Sequence, residues 1–335
     1  MLTFEDAVNL TQGEDRHILL GNGFTMAQSG GLFGYNNLLE RSGLERGSEV
    51  RNLFDNLDTY DFEEVVQALE HAAQVLDVYG DGAFAEKLYS DADEVREGLI
   101  EAVKNVHPEN QFGISEEQVT ACSNFLSNFR TVFTLNYDLL TYWLNFRARS
   151  LGLNRIFDYT DGFGQLEYNR EFREFSERSY CRVYNLHGAL HLFLGKEKRT
   201  IKRIKTGDSI IQDIEETIVE DEKMPIFVSE GTSSKKMEKI NSIPYLRHGY
   251  EQLKSREGVM FVFGHSADDK DEHIYKAIAS SKIASIYFCV HDPDANLHEI
   301  EGRMNRIVSL AWREFRKTLI INYVDAASCN VWGEE

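Results

Sequence analysis

The stretch Val132-Phe133-Thr134-Leu135-Asn136-Tyr137-Asp138 decides how this chain is read. Val132 and Phe133, β-branched then aromatic, fit a short buried strand. The run ends in an amide and a carboxylate, Asn136 and Asp138, just before an apolar helix-like segment from Leu139 to Phe146. Polar side chains are thereby delivered at a strand's carboxyl end. In an open α/β sheet that is where ligands bind, because the strand fixes the groups and the following loop leaves them facing the crevice.

The same arrangement recurs on both sides of this stretch. His17 to Leu20 reads as a buried strand running into Gly21-Asn22-Gly23-Phe24-Thr25, where glycines flanking Asn22 permit a tight turn and close approach of main-chain N–H groups to a ligand. The spacing departs from the dehydrogenase fingerprint, since the third glycine would fall at Met26. Cys181 to Leu186 forms a strand that ends in His187-Gly188, and Pro225 to Val228 leads into Ser229-Glu230-Gly231-Thr232-Ser233. Ile156 to Tyr159 is a further short strand, followed by Asp161-Gly162-Phe163-Gly164.

The last third alternates regularly. Strand Val259 to Phe263 leads to Gly264-His265-Ser266 and a helix from Asp271 to Ala279. Strand Ala284 to Val290 leads to His291-Asp292-Pro293 and a helix from Leu297 to Phe315, and a strand from Thr318 to Val324 closes the pattern. Continuous apolar strands alternating with helices predict a parallel sheet covered on both faces. The expected fold is therefore α/β: a Rossmann-like, doubly wound, mostly parallel sheet with six functional strand ends lining one long cleft.

Two inserts are expected in this core, which comprises residues 1–35 and 129–335. Residues 36–128 are helical throughout: Phe62, Val65, Val66, Leu69, Ala72, Ala73 and Leu76 recur at helical spacing, and Asp61-Phe62-Glu63-Glu64 reads as the acidic first turn of a helix. Residues 189–221 alternate apolar and charged residues about Thr206-Gly207-Asp208-Ser209, which predicts a β-hairpin. Its first arm is basic, with Lys196, Lys198, Arg199, Lys202, Arg203 and Lys205. A solvated face is the preferred reading of that arm over a partner or nucleic-acid contact.

Composition narrows the function. With 335 residues, 42% of them hydrophobic, the chain can bury a large core. Its net charge of −19, from 36 basic and 55 acidic residues, opposes broad phosphate-backbone binding, so direct nucleic-acid binding is not expected. No apolar run approaches the ~20 residues that span a bilayer, and Met1 to Leu10 lacks the features of a signal peptide, so no membrane contact and a cytoplasmic location are expected. The four cysteines, Cys122, Cys181, Cys289 and Cys329, form no Cys-x-x-Cys pair. They read as reduced, mostly buried thiols, with no metal site.

Taken in order, Gly21-Asn22-Gly23-Phe24-Thr25, Thr134-Leu135-Asn136-Tyr137-Asp138, His187-Gly188 and Gly264-His265-Ser266 resemble the sirtuin NAD-binding glycine loop, its Thr-x-Asn-x-Asp motif, its catalytic His-Gly and its later Gly-x-Ser loop. Gly264 to Ile274 and Pro225 to Leu253 resemble more closely the bacterial sirtuin-like proteins associated with anti-phage defence. The resemblance spans most of the sheet framework but neither insert. It departs from sirtuin deacylases in lacking the paired cysteines of their zinc domain, which argues against deacylation and for the NAD-hydrolysing branch.

The resemblance implies an NAD glycohydrolase that depletes NAD during phage infection, with NAD as substrate and no metal. Asn136 would orient the attacking water and the ribose hydroxyls, and His187 would accept a proton. Gly21, Asn22, Gly23, Phe24 and Thr25 would hold the dinucleotide, with Gly21, Gly23 and Thr25 nearest the pyrophosphate. Asp138 would bind a ribose hydroxyl or hold its own loop. Gly264 and Ser266 would meet the adenosine-side phosphate and ribose, and His291 or Asp292 the adenine ribose. Relatives of this kind imply a homo-oligomer or a hexameric DNA-translocating ATPase as partner. The alternative is a non-catalytic module that binds NAD or ADP-ribose and regulates a partner protein.

Overall fold

The architecture comes from a computed structural model, which describes residues 1–28, 38–108, 110–153, 156–163, 171–173, 181–204, 209–228 and 232–333. Ten strands are present among them: β1 (Arg16–Leu20), β2 (Thr131–Thr134), β3 (Tyr159–Thr160), β4 (Cys181–Asn185), β5 (Gly188–Leu194), β6 (Thr200–Lys202), β7 (Pro225–Phe227), β8 (Glu257–Phe263), β9 (Lys282–Val290) and β10 (Ile320–Asp325). Seven build one sheet in the order β10-β9-β8-β1-β2-β4-β3, and every pairing in it is parallel. The expected Rossmann-like α/β fold is the fold observed.

The period of two along each strand explains why this sheet must be covered on both faces. On β1, Ile18 and Leu20 join one apolar cluster with Val132, Phe261 and the helical segments' Phe125 and Trp143. Leu19, between them, joins the other with Phe133, Met260 and Phe288, beneath the helices Glu272–Ser280 and Pro293–Phe315. Both faces of β1 are therefore core, and its ends are the only part free to meet a ligand.

The helical segment is dominated by a pair of long helices, Phe62–Tyr79 and Gly82–Val106, joined through Gly80 in the left-handed conformation (φ 85°). Val65, Val66, Leu69 and Ala73 form its buried stripe. Asp61 caps the first helix by accepting from the Glu63 N–H, as the acidic first turn predicts. The same carboxylates also receive Lys239 from the helix Ser233–Ser242, Asp61 at 3.2 Å and Glu63 more closely. That pairing ties the start of the helix Phe62–Tyr79 to the helix Ser233–Ser242.

The hairpin expectation needs correction. A hairpin exists, but its arms are β5 and β6, turning at Gly195–Arg199. The expected second arm is the helix Ile210–Val219, capped by Ser209. Thr206-Gly207-Asp208 lie outside the described residues. The β-branched isoleucines suggested a strand, yet Ile210, Ile211, Ile214 and Ile218 are buried at i, i+1, i+4 and i+8, a helical stripe. Nor is the basic arm simply solvated. Lys202 is buried against Asp161, Arg203 pairs with Asp221 at 2.5 Å, and Arg199 with Glu171 at 3.1 Å.

The strand at Pro225 is also corrected. β7 does not enter the parallel sheet; it pairs antiparallel with β5 in a separate three-stranded sheet ordered β6-β5-β7. Gly188 is required by that pairing, since at φ +79° a Cβ there would lie 2.1 Å from the Ile226 carbonyl oxygen. Its lack of a side chain makes room for β7. All four cysteines are buried free thiols, with Cys289 and Cys329 Sγ atoms 3.8 Å apart. Among the described residues no helix is long and apolar enough to cross a membrane.

Candidate active site at the carboxyl edge of the sheet

A cavity of about 1110 Å³ opens along the carboxyl edge, larger than the roughly 300–1,000 Å³ of ordinary small-molecule sites. It spans six neighbouring strand ends: Asn136 after β2, His187 after β4, Gly21 after β1, Gly264 after β8, His291 after β9, and the turn at Ala326 after β10. The chain proceeds from β1 to β2 on one side and later adds β8 on the other. The winding therefore reverses between β1 and β8, which is where a doubly wound sheet leaves its crevice.

At that switch the two glycine segments pack backbone on backbone. A Cβ on Gly21 would lie 2.6 Å from the Gly264 carbonyl oxygen, one on Gly23 2.6 Å from Gly264 Cα, and one on Gly264 2.4 Å from the Phe24 nitrogen. The Gly23 N–H donates to the Gly264 carbonyl at 2.7 Å. The glycines first serve this crossing of chains, and the residues after Gly21 are the opening turn of a seven-residue helix, Asn22–Gln28. Asn22 lines the cavity, and its Oδ1 is buried without a hydrogen-bond partner among the described residues, an acceptor that a bound hydroxyl would satisfy.

Asn136 is held rigidly. Its Nδ2 donates to the Gly21 carbonyl and to Thr25 Oγ1, both at 3.0 Å, and Thr25 in turn donates to Asp138 Oδ2 at 2.5 Å. Because a carbonyl oxygen only accepts, the amide orientation follows, and Oδ1 is the atom Asn136 offers to a bound molecule. Asp138 also accepts from the Leu140 N–H at 2.7 Å, capping the turn into the helix Leu140–Ser150. Thr25 and Asp138 thus stand behind Asn136, off the cavity wall.

Burial raises the Asp138 carboxyl to about 6, against the lowering by its Thr25 and Leu140 hydrogen bonds. An acid whose folded value is raised holds its proton more tightly when folded, so this contribution to stability is full below about pH 4 and is lost as pH rises through about 6. Asp138→Asn is expected to remove that slope. Denaturant unfolding should show the wild type losing on the order of 3 kcal/mol relative to the variant between pH 4 and 6. Parallel curves would contradict the assignment.

His187 anchors the other side. Its Nε2 lies 3.2 Å from His273 Nε2 and 4.0 Å from Asp271 Oδ1. Asp271 Oδ1 also receives Lys236 Nζ at 2.7 Å, and Oδ2 receives His265 Nε2 at 3.1 Å. His265 Nδ1 accepts from the Ala267 N–H at 2.8 Å, which places its hydrogen on Nε2, facing the carboxylate. Burial holds His187 well below the usual imidazole range, opposed by the Asp271 charge, and takes His273 down to about 4. Burial works against ionising Asp271, but the His265 hydrogen bond and the Lys236 ammonium act the other way and the carboxyl is held low. The result is a neutral imidazole beside a carboxylate already paired with an ammonium.

His187, Asp271 and His273 place three potential ligand atoms within 4.8 Å of one another. Each is already engaged, so a cation would have to displace the Lys236 ammonium from Asp271 and break the imidazole pair.

The family described as DUF4917, a domain of unknown function, matches residues 18–332. The chain belongs to the DUF4917 family. No curated protein matches it.

In this DUF4917 chain the cavity wall includes Gly21, Asn22, Gly23, Asn136, His187, Gly264, Ser266 and His291. It does not include Phe24, which is buried against Trp332 with ring centroids 4.9 Å apart, or Thr25 and Asp138. Asp292 precedes the helix Pro293–Phe315 in a left-handed conformation (φ 42°), and it too is off the wall. Ser229, Glu230, Gly231 and Gly164 lie outside the described residues; Thr232 caps the helix Ser233–Ser242 through the Lys235 N–H. Local sequence pattern does not single out Lys236, Asp271, Arg303 and Trp332, which also line the cavity, or His273, which is bonded to His187. Asp271 and His273 lie within the quoted run Gly264 to Ile274, but their convergence on His187 depends on packing between separate elements.

Proposed function

We propose that this DUF4917 chain hydrolyses the bond between nicotinamide and ribose in NAD, yielding nicotinamide and ADP-ribose. The observation that carries the reading is that Asn136 and His187, from the adjacent strands β2 and β4, open into the same cavity at the topological switch. The sirtuin-like resemblance supplies the substrate class, and the length of the cavity along six strand ends suits a dinucleotide.

The chemistry asks little acid catalysis of the protein. The carbon–nitrogen bond breaks with its electron pair passing to the nicotinamide ring nitrogen, which is cationic beforehand and leaves neutral. Positive charge develops at the ribose anomeric carbon, as in glycoside cleavage generally. Water then forms the new carbon–oxygen bond and gives up a proton. Asn136 Oδ1, fixed by the bonds to Gly21 and Thr25, suits orienting that water or a ribose hydroxyl. His187, neutral and in the same cavity, suits taking the proton, and the nearby Asp271 carboxylate would steady the imidazolium that forms. The same resemblance supports an anti-phage effector role, in a homo-oligomer or beside a DNA-translocating ATPase.

The test is incubation of the purified chain with NAD, alone and with the product of the adjacent gene, followed by chromatographic analysis. Equimolar nicotinamide and ADP-ribose are expected. Saturable NAD binding with no product under any of these conditions would instead favour a binding module.

A further inference from the structure

The sirtuin-like reading assigns no task to His273, yet its ring lies nearly parallel to that of His187, with an interplanar angle of 19° and centroids 5.5 Å apart. The Nε2–Nε2 separation of 3.2 Å between two neutral imidazoles means that one nitrogen donates and the other accepts. Which one donates decides what His187 can do. With its Nε2 engaged by His273, Nδ1 is the nitrogen His187 has left for a molecule in the cavity. A hydrogen on Nε2 leaves Nδ1 with its lone pair and able to take a proton; a hydrogen on Nδ1 does not.

The surroundings favour the first arrangement. His187 Nε2 faces the Asp271 carboxylate at 4.0 Å as well as His273, so a hydrogen there is favoured by the negative charge beside it. The remaining charged and titratable groups around the ring, Lys236 from the helix Ser233–Ser242 and His265 from the loop after β8, are both turned onto Asp271. On the far side of His273, Nδ1 lies 3.2 Å from Ser233 Oγ, which also accepts the His273 main-chain N–H at 3.0 Å. A donation from Nδ1–H into that same oxygen would leave His273 Nε2 as the acceptor His187 needs, whereas a Ser233 hydroxyl donating to Nδ1 would reverse the pair, so the Asp271 charge beside His187 Nε2 is what favours the first arrangement.

We propose that His273, held by Ser233, is a positioning residue that fixes His187 in its Nε2–H tautomer, leaving the Nδ1 lone pair for a proton from the cavity. This rests on the NAD-hydrolysis reading only for its catalytic consequence. When water attacks the anomeric carbon, its proton joins His187 Nδ1 and the ring becomes an imidazolium, whose Nε2–H stays bonded to His273. The proton returns to solvent once ADP-ribose leaves.

The experiment is long-range proton–nitrogen NMR on full-length protein labelled with nitrogen-15 at histidine, with His187→Gln used to assign the ring. The wild type is expected to show His187 protonated at Nε2 and bare at Nδ1, and His273→Leu is expected to shift it to a mixture or to the opposite tautomer. In the same preparations, His273→Leu should lower kcat for nicotinamide release by roughly 10²-fold with KM nearly unchanged, and His273→Gln, whose amide oxygen can accept the same bond, should recover part of that loss. His187 protonated at Nδ1 in the wild type, or an unaltered tautomer in His273→Leu, overturns the proposal. Absence of nicotinamide release from the wild type refutes the hydrolase reading alone, and the NMR result still decides the role of His273.

Discussion

His187→Ala is expected to reduce nicotinamide release from NAD by roughly 10²–10⁴-fold, the range by which a positioned base accelerates proton removal. The loss should fall on kcat. The ring sits at a strand end where its main-chain carbonyl still accepts the Val228 N–H at 2.7 Å, so the turn into β5 does not depend on the side chain. Circular dichroism should accordingly show the wild-type helix and strand content. Asn136→Ala is a different experiment, because it also strips donors from the Gly21 carbonyl and Thr25 Oγ1 and so loosens the β1–β2 end. It should lose activity and some stability together. Equal turnover by His187→Ala and wild-type protein would remove His187 from the mechanism.

The largest effect on folding is expected from Gly264→Ala. At φ +70° the added Cβ would meet the Phe24 nitrogen at 2.4 Å and the Gly23 carbonyl carbon at 2.7 Å. These are backbone atoms of the neighbouring strand end, bound by the Gly23–Gly264 hydrogen bond, and cannot swing aside as a side chain would. The two central strands β1 and β8 would have to separate. A cost above roughly 4 kcal/mol follows, among the largest for one substitution, with a fall of roughly 6 °C or more in Tm. Gly302, in the helix Pro293–Phe315 with nothing within 4 Å of a Cβ, is the matched control. Gly302→Ala should raise stability by about 0.5–1 kcal/mol. Calorimetry in which Gly264→Ala melts with the wild type would show that the crossing can relax.

Local patterning made the sheet legible because its strands are short apolar runs between helices with strong periodicity. The run from Val259 to Val324 needed only its element boundaries adjusted. Patterning failed where two elements share composition. Ile210 to Val219 is rich in β-branched residues yet buries a helical stripe, and Pro225 to Phe227 looks like any other core strand although it pairs antiparallel outside the main sheet. Strand type depends on the neighbour, and the neighbour of β7 is β5, about thirty residues away in the chain.

The residues of the candidate site divide along the same line. Sequence by itself determined that this is a parallel α/β protein and that Gly21, Asn136, His187, Gly264 and His291 stand at strand ends, because strand ends are set by short-range patterns of burial and turn formation. Only the tertiary structure decided that Asp138 supports Asn136 through Thr25, that the glycines at the switch yield first to one another, and that Asp271, His273 and Lys236 close around His187. Those contacts join residues 35 to 243 positions apart, brought together by packing across separate elements, and no local spacing encodes them.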